Sequence, residues 1–164
     1  MTKAASRYAA GPAVDIRIES PLWQAQPLAE QTARAAIAEA AASSGAEGYV
    51  SVLLTDDATI AELNRDWRGF DKPTNVLSFP TPETGAGDLL GDIVIAYETL
   101  ERECEAEGRD FLHHLAHLTV HGFLHLMGYD HQTDPEADEM EGLESRIMTR
   151  LNMSDPHLSR DLDR

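Results

Sequence analysis

The chain has 164 residues, 42% of them hydrophobic, which suits one globular domain with a substantial core. Its formal net charge of −16 excludes a protein that wraps nucleic acid by bulk positive charge, so any polyanion must be held by a local basic patch. A single cysteine, Cys104, excludes an intrachain disulfide and reads as a buried, inert thiol.

The charge is uneven: residues 1–80 carry 7 basic and 10 acidic side chains, and residues 81–164 carry 6 and 19. The opening Met1-Thr-Lys-Ala-Ala-Ser-Arg leads into no apolar signal segment. No apolar run reaches the ~18 residues that a membrane helix needs. The chain is expected to be cytoplasmic.

Residues 1–12 read as a flexible arm, 13–153 as one domain and 154–164 as a frayed tail. Val14, Ile16 and Ile18 alternate with Asp15, Arg17 and Glu19, the pattern of a half-buried strand. The alanine-rich stretch 27–43 opens on Pro27 and stops before Gly45, as a helix does. Tyr49 to Thr55 forms a second strand. Asp56 or Asp57 caps a helix whose apolar side is Ile60, Leu63 and Trp67. Residues 69–73 are a loop, Asn75 to Phe79 a short strand closed by Pro80, and 82–87 another loop. Asp92 to Ala96 is the fourth strand and 97–107 a charged helix.

Asp110 caps a helix that runs to about Met127. A last helix starts at Asp134-Pro135-Glu136, read as an N-cap followed by proline at the first turn, with Ala137, Met140, Leu143, Ile147 and Leu151 as its core stripe. The expected fold is α+β. A roughly four-stranded mixed sheet has its helices, about five, on the other side, and the metal site lies at the end of a central helix.

That site is legible in residues 121–131. His121, His125 and His131 stand at relative positions 0, 4 and 10, with Gly128 at position 7. Residues four apart share a helix face, so His121 and His125 can point at one ion. Gly128 can take the left-handed conformation that ends a helix and lets the chain return with His131. Three imidazoles and an open position suit a catalytic zinc ion, although nickel, copper and iron also accept them. His117, one turn earlier, is a candidate for orienting a ligand or facing substrate, and Asp130 for orienting His131 or capping the turn. His113, His114 and His157 read as surface residues.

The spacing is that of metzincin peptidases, in which a glutamate general base follows the first histidine. Here that position is Gly122, which cannot take a proton. A phosphodiester is then a better substrate than an amide, because its cleavage depends mainly on charge stabilisation and in-line positioning. Arg65, Arg68 and Lys72 supply three cations within eight residues of an otherwise acidic chain. Arg68 is the candidate for stabilising charge on the scissile phosphate.

The run His-Gly-Phe-Leu-His-Leu-Met-Gly-Tyr-Asp-His resembles the signature of the YbeY family of bacterial endoribonucleases and ribosomal-RNA maturation factors. Leu63 to Pro80, ending Pro-Thr-Asn-Val-Leu-Ser-Phe-Pro, and Leu90-Gly-Asp-Ile-Val-Ile95 resemble that family's upstream blocks, in the same order. Trp67 and Asn75 depart mildly, where tyrosine and aspartate are frequent. The resemblance implies a zinc-dependent endoribonuclease that prefers single strands, matures the 3′ end of small-subunit ribosomal RNA and takes part in ribosome quality control. It implies metal ligands at His121, His125 and His131, and an important arginine at Arg68. Implied partners are single-stranded RNA, ribosomal RNA, and the small ribosomal subunit with its assembly proteins; neither DNA nor membrane is expected. Two rival readings are an assembly factor with a structural metal and a metzincin-like metallopeptidase.

Overall fold

A computed structural model describes residues 13–82 and 88–157. The expected arm 1–12, nearly all of the loop 82–87 and residues 158–164 of the tail lie outside the described residues. The strands are β1 (Ala13–Ile18), β2 (Tyr49–Thr55), β3 (Val76–Pro80) and β4 (Leu89–Ala96). The helices are α1 (Ala29–Ser44), α2 (Asp57–Arg68), α3 (Tyr97–Glu107), α4 (Phe111–Leu126) and α5 (Asp134–Arg150), with a short 3-10 turn at Pro21–Ala25. One mixed sheet runs in the order β1-β2-β4-β3. β1, β2 and β4 are parallel neighbours, and β3 is an antiparallel edge.

Side chains alternate across a sheet, and here the two faces carry unequal cores. Val50, Val52, Leu54, Ile93 and Ile95 join α1, α4 and α5 in the large core. Val94 and Ala96 point the other way, into a small core with Ile60 of α2 and Leu77 of β3. The expectation that all helices lie on one side is therefore corrected. Ile93 to Ala96 is an unbroken buried run, and such a strand needs cover on both faces. α2 supplies the second cover. It buries Ile60, but Trp67, expected on its apolar side, is 71% exposed.

The caps resolve two open assignments. Asp56 Oδ1 accepts the Thr59 N–H at 2.9 Å, so Asp56 caps α2. Asp57 instead ties α2 to α3, accepting the Thr99 hydroxyl at 2.7 Å. α5 is capped by Thr133, not Asp134: Thr133 and Glu136, three residues apart, satisfy each other's backbone N–H groups in a capping box. Asp134 thus becomes the first helical residue.

α4 is the central helix. Asp110 caps it, Oδ2 accepting the His113 N–H at 3.0 Å. At Gly122 it lies against the sheet. A Cβ there would sit 3.0 Å from Ile93 Cγ2 and 3.1 Å from Ser78 Oγ. The Ser78 hydroxyl donates to the Gly122 carbonyl across this contact at 2.9 Å. The position that holds a glutamate in the peptidases therefore faces packed side chains. Gly128, at φ +97°, turns the chain out of α4, and the Tyr129 N–H reaches back to the Leu124 carbonyl at 3.0 Å.

Expected to fray, residues 154–157 instead pack against the domain. Ser145 Oγ donates to Asp155 Oδ1 at 2.8 Å, and Pro156 is buried. His113 Nε2 lies 2.8 Å from the Ser154 carbonyl. Cys104 is buried, and burial pushes its thiol up to about 11, which keeps it inert.

Candidate metal centre

His121 and His125 project from one face of α4, and His131 comes from the loop after Gly128. Their ring centroids are 4.6, 5.1 and 5.6 Å apart. One nitrogen from each falls within 4.8 Å of the others. The chemistry of these nitrogens decides what the cluster is. His121 Nδ1 lies 2.6 Å from Glu144 Oε2, a carboxylate, so Nδ1 carries the proton. His125 Nδ1 lies 3.0 Å from the Tyr129 carbonyl and must also donate. In the neutral rings both Nε2 atoms are therefore bare acceptors, yet they face each other at 3.1 Å. Two lone pairs at that distance repel unless a cation lies between them. A tetrahedral zinc site with Zn–N of about 2.05 Å has ligand edges of about 3.3 Å. The donor set thus fits a divalent metal ion.

Burial, reinforced by the neighbouring His121 and His131 rings, holds His125 below the ordinary histidine value. That favours the neutral ring, the form able to bind a metal ion. His131 is the exposed member. Asp130 Oδ1 accepts the His131 backbone N–H at 2.7 Å, while its distance to the His131 ring nitrogen is 3.7 Å. Asp130 therefore caps the turn and does not bond the imidazole.

Glu144 is the residue that sequence reasoning missed. It lies on α5 beside the predicted core residues Met140, Leu143 and Ile147, and it is 1% exposed. Its Oε1 accepts from His117 Nε2 at 2.9 Å and from His157 Nε2 at 2.8 Å. Its Oε2 accepts the Nδ1–H of His121. Burial works against the charge of Glu144, but the hydrogen bonds from His117, His121 and His157 outweigh it and hold the carboxyl well below its usual range. The one available signal was a carboxylate at core spacing on a helix, in a chain with a histidine-rich neighbour. Such a group needs buried partners.

His117 touches this carboxylate, so it acts on the cluster through Glu144. Burial lowers its pKa, and its Nδ1 is buried with no hydrogen-bond partner among the described residues. A second proton there would have no acceptor, so His117 stays neutral. The surface reading of His157 and His114 is corrected: His157 binds Glu144, and His114 is 7% exposed with Nε2 2.8 Å from Glu103 Oε1. His114 belongs to α4 and is buried by α3, which carries Glu103, while His157 comes from the tail that folds onto α4; neither contact shows in single-residue patterns.

The histidines open into a cleft of about 770 Å³ that Arg68, Asn75, Ser78 and Glu103 also line. Arg68 ends α2, and its Nη2 donates to the Ser78 carbonyl at 2.7 Å. Its guanidinium carbon lies 5.5 Å over the Phe79 ring. Arg65 does not reach the cleft; it pairs with the adjacent Asp66 at 3.0 Å. Lys72 lines a neighbouring cleft that Arg68 shares.

The model of the family described as endoribonuclease YbeY matches residues 16–152. This chain belongs to the YbeY family. The YbeY protein of Bradyrhizobium sp. strain BTAi1 is 51% identical, over 92% of this chain and 95% of that protein. The YbeY protein of Rhodopseudomonas palustris strain BisB18 is 50% identical with the same coverage. The solution structure of TM1509 from Thermotoga maritima superposes with a TM-score of 0.56, at 25% identity, over 87% of this chain and 97% of that one. The YbeY match spans both the sheet and the histidine cluster. Among the described residues no helix is long and apolar enough to cross a membrane.

Proposed function

We propose that this chain is a zinc-dependent endoribonuclease that cleaves single-stranded RNA in the cleft of His121, His125 and His131. Family membership makes it a hydrolase of RNA phosphodiester bonds. The observation that carries the metal assignment is the pair of bare Nε2 atoms 3.1 Å apart, each ring fixed by its own Nδ1 partner. Bound there by three imidazoles, a zinc ion would supply a Lewis acid that polarises the phosphate and acidifies water.

The chain's own groups do the rest. Glu144 keeps the proton of His121 on Nδ1 and so aims Nε2 into the cleft. The Tyr129 carbonyl does the same for His125. Asp130 holds the loop that presents His131. Arg68 spends one N–H on Ser78, which fixes the plane of its fork and leaves further donors for phosphate oxygens. Lys72 holds a neighbouring phosphate; Arg65, tied to Asp66, adds only diffuse attraction. Gly122 provides no proton acceptor beside His121, which supports phosphodiester over amide cleavage. In the cell the substrate is ribosomal RNA at the 3′ end of the small-subunit transcript, met in the cytoplasm with that subunit and its assembly proteins.

The test is cleavage of a defined single-stranded RNA by purified protein with zinc, beside His125→Ala and Arg68→Ala prepared identically. Cleavage by wild type alone supports the reading. Equal cleavage by all three means a contaminating nuclease. A His125→Ala protein that still binds small subunits, with no cleavage by wild type, would favour an assembly factor.

A further inference from the structure

The metal cleft continues into a second one, of about 550 Å³, and the two share Arg68, Asn75, Leu77 and Glu103. Phe70 and Lys72 stand at its rim. Phe70 is 59% exposed, and it makes no ring contact among the described residues. The loop that carries it is nonetheless firmly held. The buried Asn64 donates its side-chain N–H to the Lys72 carbonyl at 2.9 Å. The Phe70 N–H bonds the Asn64 carbonyl at 3.2 Å, and the Lys72 N–H bonds the Phe70 carbonyl at 2.9 Å. An exposed aromatic ring on a pinned loop is preorganised for a flat partner, not tucked away.

The charges around it select that partner. Among the described residues Arg68, Lys72 and Arg146 are the cations with no carboxylate within ion-pair distance. Two of these three flank Phe70. The carboxylates of the cleft wall are already engaged: Glu103 accepts from His114 and Asn75, Glu107 pairs with Arg109, and Asp130 accepts the His131 backbone N–H. The cleft therefore offers positive charge that no carboxylate pairs with on the Phe70 side, while the carboxylates opposite hold other partners.

We propose that Phe70 is a stacking platform for one base of single-stranded RNA, with Arg68 and Lys72 holding the phosphates on either side of that nucleotide. This rests on the endoribonuclease reading above and adds its substrate geometry. Every base has a π face, so stacking is tolerant of sequence. A base in a duplex is already stacked and cannot turn onto Phe70. The surface thus accounts for a preference for single strands. Trp67 is more exposed still, but it borders a separate cleft with Arg17 and Asp92 that shares no residue with the metal cleft. It serves as the control.

The experiment uses zinc-loaded full-length protein and single-stranded RNA carrying 2-aminopurine at successive positions. Binding is read by fluorescence quenching and cleavage by kcat and KM. Stacking on an aromatic ring predicts that Phe70→Leu weakens binding and raises KM about 5- to 100-fold, with kcat within about threefold. Phe70→Trp restores both, and Trp67→Ala changes neither. Quenching appears at one nucleotide position and disappears in Phe70→Leu. An abasic sugar at that position weakens wild-type binding by the same factor and has no further effect on Phe70→Leu. Wild-type cleavage and binding that are unchanged in Phe70→Leu would overturn the platform and leave the nuclease standing. Phe70-dependent quenching without cleavage would keep the platform and overturn the nuclease. Neither quenching nor cleavage would overturn both.

Discussion

Removing the carboxylate of Glu144 tests whether this buried group orders the histidine cluster. Glu144 accepts three imidazole N–H groups, at 2.6, 2.8 and 2.9 Å, while only 1% exposed. A hydrogen bond to a charged acceptor contributes about 1.5–3 kcal/mol. The full sum is not expected, because the His121 and His157 side chains are 25% and 17% exposed and water can replace part of the loss. His117, at 14%, has little such recourse. Glu144→Ala is therefore expected to cost about 3–5 kcal/mol, the range for breaking a buried charge pair. At about 2–4 °C per kcal/mol for a chain of this size, Tm falls by about 6–20 °C.

Glu144→Gln is the sharper probe. It keeps the shape but turns one acceptor into a donor that meets imidazole donors, so it frees the tautomer of His121 with less damage to packing. Zinc affinity, measured by competition with a chromophoric chelator, is expected to drop about 10- to 100-fold. His157→Ala, which removes one of the three donors without touching His121, is expected to lower zinc affinity by less than Glu144→Gln does. A folded Glu144→Gln protein that holds zinc as tightly as wild type would refute the argument from tautomers.

Arg68→Lys retains the charge and loses the planar fork, and cleavage is expected to fall about 10- to 100-fold with Tm unchanged; Arg68→Ala should lose about 100- to 1000-fold, both read from kcat/KM. The zinc-free protein should lose stability as pH falls from about 7 to 5. His117 and His125 have depressed pKa values in the fold, so below the ordinary histidine value of about 6.5 the unfolded chain takes up protons that the folded one refuses. Urea unfolding at pH 5, 6 and 7 reads this directly, and a flat or rising trend toward acid would contradict it. Gly122→Glu, which would restore the peptidase pattern, should instead lower Tm by more than about 10 °C, because its Cβ meets Ile93 Cγ2 and Ser78 Oγ at 3.0 and 3.1 Å and its charge would be buried against the sheet. Circular dichroism melts of purified protein check that result.

Local rules carried the sequence a long way. Periodicity placed the four strands and five helices, since alternation and helical spacing are properties of short segments. The i, i+4 geometry of His121 and His125 and the exit at Gly128 are also local, which is why the histidine cluster was legible before any fold was known. Three contacts were not legible, because each depends on which segments meet in space. Glu144 sits at core spacing on α5, and only the packing of α5 and the 154–157 segment beside α4 turns it into the acceptor for His117, His121 and His157. Trp67 carries the pattern of a buried residue, but α2 covers a small patch of the sheet and leaves it in solvent. Arg65, Arg68 and Lys72 lie within eight residues, and their spacing alone does not part them; the end of α2 at Gly69 and the anchor on Ser78 bring Arg68 to the histidine cleft, leave Arg65 to Asp66, and send Lys72 with Phe70 to the neighbouring cleft. The sequence by itself determined which three histidines cluster, because their spacing lies within one helix and its turn. The tertiary structure alone decided what surrounds them, because a hydrogen bond between distant segments has no local signature.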